Sequence, residues 1–227
     1  MTTTSRRQIL KNVGLMGLGL LTASIARAAE GAGALTPAQT EGPFYPVQDQ
    51  ADKDTDLTIV KGHSKHAKGQ VVRVTGQVRD EQGNPLAGAM VEIWQACESG
   101  KYNHPEDTNT APMDPDFQYW GRTTTDANGN YGFLTIKPGA YPADANWIRP
   151  PHIHFKVAAP GFRSLTTQLY FAGDPLNDKD RILRAIPADV RQLVISKFTP
   201  AAGGALQGRF DITIPHAGSR GGTPELD

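Results

Sequence analysis

The sequence is poor in three features that would restrict its class: cysteine, net charge and long apolar runs. Cys97 is the single cysteine, so the chain cannot form an internal disulfide. The 23 basic and 23 acidic residues cancel, which removes the electrostatic basis for binding nucleic acid. The apolar run at residues 13–25 is shorter than the roughly 20 residues that a transmembrane helix needs, so we expect no stable membrane anchor.

Residues 1–28 have the pattern of a targeting segment. Arg6 and Arg7 precede the apolar run, and Ala26-Arg27-Ala28 supplies a small-x-small cleavage site. The pattern resembles a Tat signal peptide with Ile9 where the usual motif has Phe, and a Sec signal that carries two arginines is the alternative. We therefore expect a cleaved signal and export through the Tat machinery to the periplasm or the medium. Because the Tat machinery exports folded proteins, often with a cofactor already bound, this export route favours a metalloprotein.

Glycine and proline are frequent (24 and 17 residues), and apolar residues of the mature chain alternate in short runs. Such runs, bounded by turn residues at 80–85 and 126–130, predict an all-β domain. The predicted strands cover residues 71–78, 89–94, 121–125, 131–136, 152–157, 166–171 and 208–214. One helix is predicted at residues 187–195. The expected fold is an antiparallel β-sandwich of the immunoglobulin or transthyretin type, with long irregular loops and little helix.

The mature chain is predicted to form one domain. We expect an irregular N-terminal arm at residues 29–70, the sandwich at residues 71–215 and a flexible tail at residues 216–227. Residues 98–118 are predicted to form a long loop that begins near Tyr102. A loop of this length in a compact domain is usually functional or disordered.

His152 and His154 stand two residues apart in a β-prone run. Side chains at i and i+2 of a strand point to the same face, so both imidazoles can bind one metal ion. Zinc and iron sites use such pairs, but hydrogen-bonded interior histidines show the same spacing. The pair alone leaves a metal site and a structural role open. The preceding Pro150 and Pro151 stiffen the approach to the strand and lower the cost of ordering it.

Four motifs of this sequence resemble those of the intradiol ring-cleavage dioxygenases, with the protocatechuate 3,4-dioxygenase branch as the nearest. The first two are Gly100-Lys101-Tyr102-Asn103-His104 and Thr135-Ile136-Lys137-Pro138-Gly139-Ala140-Tyr141-Pro142. The others are Arg149-Pro150-Pro151-His152-Ile153-His154-Phe155 and Thr167-Gln168-Leu169-Tyr170-Phe171. They follow the family's order within residues 40–175, which independent chance matches would not produce.

The resemblance implies a non-haem Fe(III) centre, and the implied metal ligands are Tyr102, Tyr141, His152 and His154. The implied catalytic residues are Arg149, Gln168 and Tyr141. The implied substrate contacts are Trp94, Tyr45 and Ala143. The residue types suit the metal: free tyrosine has a pKa of about 10, so phenolate ligands at neutral pH require a strong Lewis acid such as Fe(III).

The implied activity is cleavage of a catechol by O2 between its two hydroxyl-bearing carbons, giving a cis,cis-muconate. The substrate would be protocatechuate or another substituted catechol. Ala143 departs from the family pattern, which usually has an aromatic residue there, so the pocket wall is altered. In two-subunit members a partner chain also holds the substrate carboxylate, so a homo-oligomer or a partner subunit stays open.

Two other interpretations are compatible with parts of the sequence. The segments at residues 74–92 and 123–141 are also similar to transthyretin-like β-sandwich modules that bind partners without chemistry. That interpretation leaves the two tyrosines and two histidines unexplained. The second keeps a His-x-His metal site but fills it with Zn(II) or Fe(II).

Overall fold

A computed structural model describes residues 33–50 and 52–219, which contain two five-stranded sheets and a two-stranded hairpin. The first sheet consists of β1 (Val71–Arg79), β4 (Asn130–Ile136), β10 (Phe198–Pro200), β11 (Leu206–Arg209) and β12 (Ile212–Thr213). The second consists of β2 (Met90–Trp94), β3 (Trp120–Thr124), β7 (His152–Ala158), β8 (Leu165–Phe171) and β9 (Ile195–Ser196). The hairpin joins β5 (Tyr141–Asp144) to β6 (Trp147–Arg149).

The predicted signal peptide at residues 1–28 lies outside the described residues, as do residues 220–227 of the predicted tail. None of the helices in the described part of the chain is long and apolar enough to cross a bilayer.

The two sheets pack face to face through aromatic side chains. Phe155 of the second sheet contacts Tyr131 of the first, with ring centroids 6.0 Å apart, and Phe210, at 4.9 Å. The Tyr131 hydroxyl also donates a hydrogen bond to the Phe210 carbonyl. Gly76 is required at this point, because a Cβ there would lie 1.8 Å from the same carbonyl oxygen. Burial of this apolar interior is the main force that holds the sandwich together.

The β-sandwich with little helix is confirmed, but its sheets are mixed rather than purely antiparallel. β1 pairs in parallel with β11 and β12, and β8 pairs in parallel with β9. The remaining pairs within the sheets are antiparallel. The alternating pattern of one strand reveals which side chains face inward, but it does not reveal the direction of the neighbouring strand.

The C-terminal third differs from the prediction in two places. Instead of one helix at residues 187–195, a short helix α1 (Arg181–Ala185) and a 3-10 helix (Arg191–Val194) are present. Pro187 accounts for the end of α1, because a residue before proline avoids the helical region, and Ile186 is extended at φ −71° and ψ 133°. The strand predicted at residues 208–214 is divided into β11 and β12.

The first residues of the predicted flexible tail are hydrogen-bonded to the domain. His216 binds Glu81 through its backbone N–H and its Nδ1, both at 3.0 Å, and Ala217 donates a backbone hydrogen bond to Gly161. Residues 216–219 are therefore attached to the domain. The N-terminal arm is attached as well, since Gln39 donates a backbone hydrogen bond to Thr166 of β8.

Candidate metal centre

Strand β7 places His152 and His154 on one face of the second sheet. Their ring centroids are 4.9 Å apart, and both side chains are almost fully buried. β7 lies between β2 and β8, where His154 is the register partner of both Trp94 and Gln168. The two-residue period of a central strand thus fixes the histidine pair in a rigid frame.

Two tyrosines complete the cluster, Tyr102 from a loop and Tyr141 from the start of β5. The Tyr102 hydroxyl lies 3.4 Å from His152 Nε2, and the Tyr102 and Tyr141 rings meet edge to face with centroids 5.5 Å apart. Gly100 allows this approach: its φ is 84°, and a Cβ there would lie 2.5 Å from the Ala140 carbonyl oxygen. The Tyr102 backbone N–H donates to Asp107, which holds the start of the loop.

Burial makes all four side chains neutral in the absence of a metal. Burial, reinforced by the neighbouring Tyr141, raises the pKa of Tyr102 well above its usual value. Burial also raises the pKa of Tyr141, although Arg149 opposes it. Burial, aided by the charge of Arg149, lowers the pKa of both His152 and His154 well below the ordinary value. Both imidazoles therefore keep a nitrogen lone pair free for a cation at neutral pH.

The hydrogen bonds of the histidines fix how they can bind. His152 Nδ1 lies 2.7 Å from the Pro150 carbonyl oxygen, which can only accept, so Nδ1 carries the proton and Nε2 is left as the acceptor. Metal-binding histidines commonly hold their second nitrogen in this way. His154 is held differently: Trp94 stacks on its ring at 4.7 Å and 15°, and its buried Nδ1 has no hydrogen-bond partner among the described residues.

The donor set of the cluster fits a strongly Lewis-acidic metal ion. No group of three or more His, Cys, Asp or Glu side chains within residues 33–50 and 52–219 is placed to hold a metal. A metal at His152 and His154 would consequently need the phenol oxygens of Tyr102 and Tyr141. Two phenolates offset much of the charge of a trivalent cation, which makes its burial less costly.

Arg149 stands beside the cluster at the end of a buried polar network. Its Nε donates to Asp180 at 2.9 Å, and its Nη2 donates to Gln168 at 2.7 Å and to the Tyr170 hydroxyl at 3.0 Å. Burial disfavours the charged guanidinium, but Tyr170, Tyr141 and Asp180 outweigh it and raise the pKa of Arg149. Gln168 donates in turn to the Thr40 carbonyl at 3.0 Å, which ties the network to the N-terminal arm.

A cavity of about 330 Å³ opens next to the cluster. Tyr141, His154 and Arg149 line it, and Ala143 lies in its wall as expected from the sequence. The other lining residues come from the arm, the loop after Tyr102, the hairpin and α1: Thr40, Glu41, Gly42, Pro43, Phe44, Asp107, Thr108, Asn109, Pro142, Trp147 and Ile182. A more open cavity of about 500 Å³ lies elsewhere, around His63 and Met113, and none of the predicted site residues lines it.

Trp94 and Tyr45, the other two predicted substrate contacts, lie behind His154 rather than among the residues that line the cavity. Tyr45 meets the Trp94 ring edge to face at 5.0 Å, and its hydroxyl donates to Glu92 at 3.2 Å. Burial and the Glu92 carboxylate raise the pKa of Tyr45 to about 12, so its hydroxyl stays protonated. Trp94 therefore supports the histidine directly, and Tyr45 supports Trp94.

Sequence reasoning missed several residues of this site. Phe44 packs on Tyr102 with ring centroids 4.8 Å apart, and Asp180 binds Arg149. Trp147 and Ile182 add apolar surface to the cavity. An Asp that precedes a helix is a recognisable N-cap signal, but no local pattern shows that the same carboxylate reaches Arg149, 31 residues away.

Comparison with known proteins agrees with this arrangement. A family model described as Dioxygenase (Dioxygenase_C) matches residues 40–215. The protocatechuate 3,4-dioxygenase beta chain of Burkholderia cepacia is 44% identical over 178 residues, covering 76% of this chain and 76% of that protein. Catechol 1,2-dioxygenase 2 of Acinetobacter lwoffii is 36% identical over 170 residues, covering 66% of this chain but only 56% of that protein.

Solved structures give the same result. The dioxygenase domain of a dioxygenase carbohydrate-binding protein fusion from Streptomyces sp. SirexAA-E has a TM-score of 0.60 and 31% identity, covering 81% of this chain and 100% of that one. Catechol 1,2-dioxygenase from Pseudomonas arvilla C-1 has a TM-score of 0.63 and 29% identity, covering 88% of this chain and 68% of that one. The chain therefore belongs to the intradiol dioxygenase family.

Proposed function

We propose that the protein is a non-haem Fe(III) enzyme that cleaves a catechol between its two hydroxyl-bearing carbons with O2, giving a cis,cis-muconate. The observation that carries the proposal is the convergence of two phenols and two imidazoles at one buried point beside a cavity. The family to which the chain belongs supports it as well. A non-catalytic transthyretin-like module would need neither the cluster nor the cavity.

Tyr102, Tyr141, His152 and His154 would hold the iron. Bound there, Fe(III) would supply the Lewis acidity that keeps phenolates and a catecholate ionised at neutral pH. The two tyrosines then differ in access, because Tyr141 lines the cavity whereas Tyr102 is covered by Phe44. An incoming catechol would meet Tyr141 first, and the Tyr141 oxygen would accept one of its protons.

Arg149 would stabilise negative charge on the substrate ring. Its guanidinium borders the cavity, and its partners Asp180, Gln168 and Tyr170 hold it in one orientation. A fixed cation aimed at developing charge needs little reorganisation during the reaction. Gln168 contributes by orienting Arg149, since its side chain is fully buried and both of its polar atoms are hydrogen-bonded within the protein.

The proposal includes export of the protein through the Tat machinery, which the Arg6-Arg7 pair and the following apolar run support. The signal would be removed after residue 28. Fractionation of expressing cells, with and without Arg6→Lys and Arg7→Lys, tests this part. We expect the wild-type protein in the periplasm or medium and the double variant in the cytoplasm.

The reaction is tested on the purified protein by iron analysis, visible absorption and oxygen uptake with a panel of catechols. Charge transfer from tyrosinate to Fe(III) should give a burgundy colour, and ring cleavage should consume O2 while muconate absorbance rises. A colourless protein that contains Zn(II) or Fe(II) and consumes no O2 with any catechol would contradict the proposal.

A further inference from the structure

The charged groups around the cavity disfavour a catechol whose ring carries a negatively charged substituent in addition to its two oxygens. Three charged side chains line it, and two of them, Glu41 and Asp107, are carboxylates. The third is Arg149, whose Nε and Nη2 are already bound to Asp180, Gln168 and Tyr170. Each of the three is already in an ion pair. Among the described residues, the cavity wall therefore offers no free cation to such a charge.

The other cations near this cavity are also engaged elsewhere. Lys156 binds Glu41 at 2.7 Å, and Lys101 lies 3.6 Å from the Asp107 carboxylate while donating to the carbonyls of Asp107 and Asn109. Arg181 binds Asp144 at 2.8 Å and lies over the ring of Trp147, 5.0 Å from its centroid. Among the described residues, Arg149 is the one cation that lines the cavity.

The wall away from the metal ligands is largely apolar. Pro142 and Ala143 of β5, Trp147 of β6 and Ile182 of α1 contribute to it. Ala143 lies at a β-bulge, because Pro142 pairs with Ile148 whereas Asp144 pairs with Trp147. Such a bulge turns its side chain away from the regular alternation. The side chain of Ala143 is a single methyl group, and the indole of Trp147 lines the same cavity.

We infer that the cavity selects catechols whose ring substituent is uncharged, such as an alkyl group, over catechols that carry a carboxylate. This inference rests on the proposed function and narrows its substrate class. A catechol held by its two oxygens at the ligand end directs the opposite edge of its ring toward this apolar wall. A carboxylate there would lose water without gaining a free cation, because the cations at and beside the cavity already have carboxylate partners.

The test compares 4-methylcatechol with protocatechuate on the purified iron-containing protein. We expect kcat/KM for 4-methylcatechol to exceed that for protocatechuate by about tenfold or more, the size of effect that unfavourable charge placement in a desolvated site produces. Equilibrium binding of both compounds without O2, followed by tryptophan fluorescence because Trp147 lines the cavity, should show the same preference. Binding gives a readout that is independent of turnover.

A charge variant with a matched control isolates the cause. Ala143 is exposed, so a longer side chain fits there without disturbing the core. Ala143→Arg should raise the relative preference for protocatechuate about tenfold in both assays, whereas Ala143→Gln, of similar length but neutral, should not. If the wild-type protein prefers protocatechuate, even through a cation that a partner chain supplies, the inference is wrong but the proposed function stands. Absence of oxygen uptake with both catechols would overturn the proposed function and the inference together.

Discussion

Asp180 binds Arg149 with one carboxylate oxygen and caps helix α1 with the other. Oδ2 accepts from Arg149 Nε at 2.9 Å, and Oδ1 accepts from the Leu183 backbone N–H at 2.8 Å. The carboxylate is completely buried. One side chain therefore links the cation beside the metal cluster to the helix that supplies Ile182 to the cavity wall.

Asp180→Ala should destabilise the fold strongly, because it leaves a buried guanidinium without its counter-ion. We expect the free energy of unfolding in urea to fall by about 3–5 kcal/mol. Asp144→Ala is the matched control, since Asp144 forms an exposed pair with Arg181, and such pairs contribute about 0–1 kcal/mol. Equal small losses in both variants would show that the buried pair does not stabilise the protein.

Asp180→Asn should reveal whether this pair also positions Arg149 for the reaction. The amide keeps the shape and one acceptor oxygen but loses the charge, so the guanidinium is held less firmly. We expect kcat for a neutral catechol to fall by up to about 100-fold with a smaller change in KM, as misplacement of a positioned group does. A change confined to KM would mean that Arg149 acts in binding alone.

The colour of the iron-containing protein should depend on Tyr102 and Tyr141 but not on other buried tyrosines. Tyr102→Phe and Tyr141→Phe should each shift or abolish the visible band and lower the bound iron. Tyr131→Phe is the control: Tyr131 is buried and hydrogen-bonded to Phe210, away from the cluster. That variant should keep its colour and lose only about 1 kcal/mol of stability from the missing hydrogen bond. An unchanged spectrum in Tyr141→Phe would show that Tyr141 is not a ligand.

Local patterns of the sequence were sufficient for β2, β7 and β8, the strands that carry Trp94, the two histidines and Gln168. Alternation predicts β7, and the two-residue spacing of His152 and His154 places both on one face. The hairpin of β5 and β6 was not predicted, because Pro142 and the bulge at Ala143 interrupt any alternation. Parallel pairing of β1 with β11 was also missed. The partners are more than 130 residues apart, and the sequence of a strand has no pattern that shows the direction of its neighbour.

The positions of the tyrosines and the network around Arg149 were not accessible to local patterns either. Tyr102 and Tyr141 were assigned by resemblance to a family, and it is the close approach of Gly100 to Ala140 that brings the loop of Tyr102 to the start of β5. Asp180, Tyr170 and Gln168 meet Arg149 only through tertiary packing. A buried ion pair leaves no mark in the sequence beyond the presence of two charged residues.

Removal of the metal should lower thermal stability, because a buried cluster that binds a cation only when folded links binding to folding. At a metal concentration a thousandfold above Kd the gain is about 4 kcal/mol, which corresponds to a rise in Tm of roughly 8–16 °C for a chain of this size. Calorimetry before and after chelation, followed by return of Fe(III), measures the shift. His152→Ala should show no comparable shift, and a metal-dependent Tm in that variant would place the metal elsewhere.

The attachment of the C-terminal segment should weaken in acid through Glu81. Hydrogen bonds from Ser219, from the Glu81 backbone and from His216 lower the pKa of Glu81 from 4.5 to about 2. Because the folded pKa is lowered, the stability that Glu81 contributes is fully present above pH 4.5 and is lost as the pH falls toward 2. Urea unfolding of the wild type and Glu81→Gln should be measured between pH 2 and 7. The difference between their free energies of unfolding should be constant above about pH 5 and should nearly vanish at the acid end of this range. A difference that persists unchanged at the lowest pH would mean that the carboxylate charge has no part in holding residues 216–219.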